Sequence, residues 1–258
     1  MKTVTLITGG GSGIGLALSQ VLAKNGHDLV LIARNLQELQ KVGQDLEKEH
    51  GIVTYPLAAD LSKPGACQKR FDELTQQKLE VNILVNNAGF ATHGSFAESD
   101  TQAEMDMLEV NIKALTLLTR IALPSMLKKK SGYILNLAST AAFQPGPFMA
   151  GYYASKAYVL SFSEALNNEL SGTGISVTAL CPRPTKTGFA KRANIENVRL
   201  FKNAPVMEAF KVAEIGYRGM LAKKAVVIPG HRNTLIAIST RFAPRGLAAR
   251  ITRKLQED

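Results

Sequence analysis

Short β-branched apolar runs alternate with longer stretches of helical period along nearly the whole chain. That alternation constrains the fold more than any other feature. Residues 4–8, 29–33, 53–58, 83–86, 133–138, 176–180 and 226–229 are predicted as strands, and 14–26, 36–50, 64–77, 102–128 and 154–170 as helices. Strands that are apolar along their length must be covered on both faces, which implies a parallel sheet wrapped by helices. The expected fold class is α/β: a doubly wound parallel sheet with helices on both faces, with residues 1–258 as a single domain. One irregular region, about 183–210, follows the carboxyl end of a strand, where ligands of open α/β sheets bind, and is expected to be a substrate loop.

Other classes are excluded on simple grounds. No apolar run approaches the ~20 residues a membrane-spanning helix needs, and the first apolar stretch flows into glycines, so it reads as a strand rather than a leader. Cys67 and Cys181 are too few for a disulfide framework and lack metal-ligand spacing, so no metal site and a reducing, cytoplasmic setting are expected. The formal net charge is +10. Up to Pro182 the chain holds 15 Lys and Arg against 16 Asp and Glu, and after it 16 against 5, so the whole excess lies in the last third. No groove-reading element is legible there, and nucleic acid is not an expected partner.

Three segments carry chemistry. Thr8-Gly9-Gly10-Gly11-Ser12-Gly13-Ile14-Gly15 joins the first strand to a helix. Glycines let that turn approach a pyrophosphate, whose charge sits on the free amides of the helix. Its spacing is T-G-x-x-x-G-x-G, with Ile14 where the third glycine of G-x-G-x-x-G would fall. The second strand ends in Ala33-Arg34 with no acid at its tip. A carboxylate there would repel a 2′-phosphate and a guanidinium would pair with it, so NADP is the expected cofactor. Asp60, before Leu61, either accepts a hydrogen bond from an adenine amino group or caps the helix near Pro64. Asn86-Asn87-Ala88-Gly89 either ties loops together or lines the cofactor site.

Tyr152 and Lys156 stand at i and i+4 of a helix, so the ammonium lies near the phenol. A neighbouring cation favours the phenolate of a group whose ordinary pKa is about 10. Ser139 ends the fifth strand at the same sheet edge. Taken alone, Tyr-x-x-x-Lys is a common surface pair.

Together and in this order, these motifs resemble the short-chain dehydrogenase/reductases over residues 1–190, and the wording after Tyr153 is similar to the branch holding ketoacyl reductases and hydroxysteroid dehydrogenases. The resemblance implies a Rossmann-type oxidoreductase moving a hydride between NADP(H) and a carbonyl or alcohol, here an apolar ketone or ketoacyl compound. It assigns substrate-oxygen binding to Ser139, proton exchange to Tyr152, and ribose binding with lowering of the tyrosine pKa to Lys156. Asn111 takes the fourth catalytic place, through a water relay, or bends its helix. Cofactor contacts fall on Gly9, Ser12, Gly13, Ile14, Gly15, Arg34, Asp60, Leu61, Asn87, Ala88, Gly89, Tyr152, Lys156, Pro182 and Thr187. A homodimer or homotetramer is implied. The chain departs from the family at Pro182-Arg183-Pro184, where glycine commonly stands at 183. That substitution puts the local backbone path in question and offers a guanidinium to the pyrophosphate or to an anionic substrate.

Two readings compete with an active enzyme and a passive tail. A cofactor-sensing regulator or scaffold without turnover would be expected to lose Ser139, Tyr152 or Lys156, and all three are present. In the tail, at about 235–258, Leu247, Ile251 and Leu255 form one helical stripe with Arg250, Arg253 and Lys254 off it. The stripe either packs on the body beside residues 235–242 or lies on an anionic membrane surface or acidic carrier protein.

Overall fold

The computed structural model describes residues 1–196, 198–199, 206–240 and 242–256. Seven parallel strands form one sheet in the order β3-β2-β1-β4-β5-β6-β9. They are β1 (Lys2–Thr8), β2 (Leu29–Ala33), β3 (Thr54–Ala58), β4 (Leu79–Asn86), β5 (Gly132–Leu137), β6 (Ile175–Leu180) and β9 (Val226–Val227). Alternate residues of each strand feed opposite cores. Ile7, Leu29, Leu31 and Leu135 pack with Leu18 and Leu22 of α1 (Gly13–Lys24) on one face. Leu6, Val30, Ile32 and Ile134 pack on the other with Leu118 and Met126 of α5 (Leu115–Lys129) and Leu166 of α6 (Ala150–Glu169). The doubly wound single sheet expected from the alternation is the one observed.

Between β1 and β4 the strand order reverses, which opens a crevice at their carboxyl ends. The glycine turn follows β1 and Asn87-Ala88-Gly89 follows β4, so topology alone places both motifs at the crevice.

Several elements differ from their sequence-based bounds for local reasons. β4 begins at Leu79, before the continuous apolar run, because Glu80 is held by Lys129 at 2.7 Å and the strand alternates there. α6 begins at Ala150 although Gly-Tyr-Tyr are weak helix formers. Gly151 allows this start, since a Cβ there would fall 2.5 Å from Glu104 Oε2 and 2.8 Å from Met107 Cε. Residues 101–129 are continuous helix, in which Glu109–Ala114 is a π turn between α4 (Thr101–Leu108) and α5. By length and composition that stretch could cross a membrane, but Met107, Leu118, Ala122 and Met126 bury its inner face in the body. It is a core helix.

The substrate loop contains β7 (Thr185–Lys186) and the short helix α7 (Phe189–Arg192), and β7 pairs with β8 (Met207–Glu208). Residues 197 and 200–205 of the loop lie outside the described residues. A helix not legible in the sequence, α8 (Ala209–Leu221), covers the α1 face of the sheet through Val212, Ala213 and Met220. The tail forms α9 (His231–Ser239) and α10 (Arg245–Gln256). Of the two readings of the tail stripe, packing on the body is not the one observed: Leu247, Ile251 and Leu255 are exposed, and α10 turns its polar Thr252 and Gln256 inward instead.

Candidate active site

Around the crevice lies a cleft of ≈ 460 Å³. Gly9, Ser12, Gly13 and Ile14 line it at one end, and Ser139, Tyr152, Lys156, Pro182 and Thr187 at the other. Gly9 and Gly13 have φ of +68° and +56°, the left-handed region that favours glycine. Gly15 does not line the cleft. A Cβ on it would fall 2.0 Å from the Gly9 carbonyl oxygen, so its part is to let helix and turn touch.

Asn87 closes the other side of the turn. Its side-chain amide donates to the carbonyls of Thr8 (2.8 Å) and Gly9 (3.2 Å), while the Thr8 hydroxyl accepts from the backbone amides of Asn87 (3.0 Å) and Ala88 (2.9 Å). Asn87 and Ala88 thus tie the loops together, and Asn87, Ala88 and Gly89 line the cleft. The N-terminus of α1 carries no side-chain cap from Ser12 and no acid in its first turn. Its first amides are therefore available to an anion in the cleft, and the glycines supply room for the approach, so these residues fit a dinucleotide pyrophosphate.

Arg34 is exposed at the rim beside Asp60, Leu61 and Ser62, with Glu38 one turn further along α2 (Leu36–His50). Asp60 does not cap α3 (Ala66–Gln76), whose N-cap is Gly65. Its carboxylate accepts from the backbone amide (3.1 Å) and hydroxyl (2.8 Å) of Ser62. Burial opposes its ionisation, yet those bonds and the cations Lys63 and Arg34 hold its pKa below the ordinary carboxylate value.

The catalytic end is largely enclosed. Tyr152 and Lys156 are buried, with the ammonium 5.8 Å from the phenol ring centroid. Lys156 Nζ donates to the Leu137 carbonyl at 2.7 Å, which fixes it over the end of β5. Burial lowers its pKa to about 8. Burial also pushes the Tyr152 phenol above its ordinary range, with the Ser139 hydroxyl pulling it partly back. Desolvation of the phenolate dominates that shift, and the Lys156 ammonium is engaged by the Leu137 carbonyl. Ser139 Oγ accepts from the Ala141 amide at 3.1 Å as cap of a short 3₁₀ turn, and its hydroxyl donates a long 3.5 Å bond to the Pro182 carbonyl.

Asn111 does not line the cleft. From the π turn its side-chain amide donates to the Phe90 carbonyl and Ser155 Oγ, both at 3.0 Å, and its carbonyl oxygen accepts from the Phe90 amide at 3.2 Å. A Cβ on Gly89 would fall 2.8 Å from Asn111 Oδ1 and 3.6 Å from Lys156 Nζ, so glycine there leaves room for both groups. Arg183 is not among the non-glycine residues of positive φ, so its backbone needs no glycine conformation. Its guanidinium donates to Asn233 Oδ1 of α9 at 3.3 Å, tying the substrate loop to the tail.

The sequence reading missed the cleft's far wall. Met149, Phe189, Ile195 and Ile236 make it apolar, and Tyr153, Asn233 and Gln256 add polar groups. Gln256 is buried, donates to the Tyr153 hydroxyl at 2.6 Å, and has no partner for Oε1 among the described residues. Only contacts across the fold reveal it.

A family model described as short chain dehydrogenase matches residues 3–197. The chain belongs to the short-chain dehydrogenase family. As a short-chain dehydrogenase it is an oxidoreductase with the family's Rossmann-type dinucleotide site. Rat 17-beta-hydroxysteroid dehydrogenase type 3 is 33% identical over 86% of this chain and 74% of its own. The very-long-chain 3-oxoacyl-CoA reductase of Anas platyrhynchos is 32% identical over 87% of this chain and 71% of its own. Among solved structures, a short-chain dehydrogenase from Sphingobium yanoikuyae in complex with NADPH superposes with a TM-score of 0.84 at 34% identity, covering 96% of this chain and 95% of that one.

Proposed function

We propose that this short-chain dehydrogenase reduces an apolar ketone or ketoacyl compound with NADPH. One observation carries the reading: a buried, protonated Tyr152 stands beside the Ser139 hydroxyl and opens on a cleft wall made of Met149, Phe189, Ile195 and Ile236. NADPH supplies the hydride. The chain's own residues do the rest. Gly9, Ser12, Gly13 and the first amides of α1 receive the pyrophosphate, and Arg34 pairs with the 2′-phosphate that a carboxylate at that strand tip would repel. Lys156, held by the Leu137 carbonyl, presents its ammonium to the nicotinamide ribose. Ser139 donates to the substrate carbonyl oxygen, and Tyr152 gives that oxygen its proton as the alkoxide charge develops.

NADPH bound to the solved relative supports the cofactor, and the names of the two curated relatives support the apolar substrate class. A cofactor-coupled screen with NADPH and NADH over acyl thioesters, steroids, sugars and small aldehydes tests the reading. Turnover confined to apolar ketones or ketoacyl thioesters with NADPH is expected. Turnover only of sugars, or none with NADPH, would refute it.

A further inference from the structure

α10 is built inside out for a surface helix. Its buried side chains are the polar Thr252 and Gln256, while Leu247 and Ile251 are about half exposed. A surface helix of a globular protein turns its apolar stripe to the core. Here polar contacts seat the inner face instead: Gln256 reaches Tyr153, His93 Nε2 bonds to the Gln256 carbonyl at 3.2 Å, and Arg253 lies over the Phe148 ring at 5.2 Å. α9 behaves alike. Ala237 is its buried residue, Leu235 and Ile238 are exposed at 68% and 48%, and Phe242 just beyond it is exposed at 84%.

The charge on this segment points to what covers it. Between His231 and Gln256 the chain holds six Arg and Lys and no Asp or Glu. A second copy would bring like charge against like charge, and an acidic protein partner satisfied by charge alone leaves Phe242, Leu235, Leu247 and Ile251 without a use. Basic residues interleaved with projecting apolar ones match an anionic bilayer surface, where the apolar groups enter the acyl boundary and the cations meet the headgroups.

We propose that α9 and α10 form an interfacial anchor that seats the protein on an anionic membrane. Ile236 and Ala237 of α9 and Leu255 and Gln256 of α10 line the catalytic cleft, so the same helices border both the bilayer and the substrate. A lipid-dissolved ketone then reaches Tyr152 past these cleft-lining residues, a route that rests on the proposed substrate class. The docking itself does not.

Co-sedimentation of the full chain, without cofactor or substrate, with vesicles of phosphatidylcholine alone or mixed with phosphatidylserine tests the anchor. Binding to the mixed vesicles only is expected, strong near 0.01 M salt and weaker at 0.15 M as the Debye length falls from ~30 Å to ~8 Å. Arg245→Gln with Arg250→Gln should lower the partition coefficient roughly thirtyfold, at about 1 kcal/mol per residue. Leu235→Ser with Ile238→Ser and Phe242→Ser should abolish binding while the thermal transition stays in place. Should that triple variant unfold, Phe242→Ser alone decides, because its side chain is almost wholly exposed. No sedimentation with anionic vesicles at low salt overturns the proposal, as does sedimentation that these substitutions leave unchanged. A dimer that the triple variant splits, or capture of an acidic carrier protein, in the absence of vesicle binding overturns it equally.

Discussion

The carboxamide of Gln256 donates a 2.6 Å hydrogen bond to the hydroxyl of Tyr153, 103 residues earlier in the chain. The last turn of α10 thereby braces the residue next to the proton-donating Tyr152, and the two rings meet edge to face with centroids 6.0 Å apart. Gln256→Leu keeps the volume but removes the bond. KM for an apolar ketone should rise roughly threefold to tenfold, the worth of one hydrogen bond, with kcat nearly unchanged. A loss confined to kcat would mean that Gln256 acts on the proton transfer rather than on the substrate wall.

Tyr152→Phe removes the proton donor and leaves the cofactor end of the cleft intact, so turnover should fall by ~100-fold or more while NADPH affinity is kept. Tyr153→Phe should do far less. Steady-state kinetics with one substrate separates them, and equal losses would place the acid in the wrong register.

Arg34→Ala should weaken NADPH by about tenfold, or 1.4 kcal/mol, and leave NADH nearly unchanged. Fluorescence titration of both cofactors measures it. Equal weakening of the two would assign Arg34 to packing at the rim.

Lys156 yields a pH signature in stability. Its pKa is 10.5 ordinarily and about 8 when buried here. Below pH 8 the native state holds a charge it would rather lose. Between pH 8 and 10.5 the unfolded chain binds the proton the native lysine has released, so native stability rises with pH across that window. Lys156→Met has no such contribution. Denaturant melts should show the wild type gaining on the variant by up to roughly 3 kcal/mol from pH 8 to 10.5, and a difference that stays flat would contradict the buried charge.

Gly15→Ala places a methyl group 2.0 Å from the Gly9 carbonyl oxygen and 2.4 Å from Asn87 Nδ2. Neither can yield without breaking the clamp on the turn. Overpacking at such a site costs ~1–3 kcal/mol or more, and thermal melts should show it together with loss of NADPH binding. Unchanged melting would mean the turn is looser than its hydrogen bonds imply.

Local signals made the sheet and the cofactor end legible. Glycines at Gly9 and Gly13 announce a backbone only they favour, and Tyr152 and Lys156 announce themselves by helical spacing. The substrate wall gave no such signal. Met149, Ile195 and Gln256 sit in separate segments with ordinary neighbours, and only folding brings them together. The start of α6 was hidden because Gly151 weakens a helix locally while tertiary contact with Glu104 and Met107 favours it. For α10 the helical stripe was visible, but periodicity says only that a helix has two faces. Which one turns inward was decided by partners on Tyr153, His93 and Phe148, far away in sequence.

Cys181 follows β6 directly, one residue before Pro182 and close enough to Lys156 and the Ser139 backbone to interact with both, and burial pushes its thiol up to about 12, as it pushes Cys67 up to about 11. Alkylating agents and peroxides attack the thiolate, which neither residue populates near neutrality. Catalytic turnover should therefore be deaf to the oxidants and thiol poisons that silence cysteine-dependent enzymes, even though a thiol interacts electrostatically with Lys156.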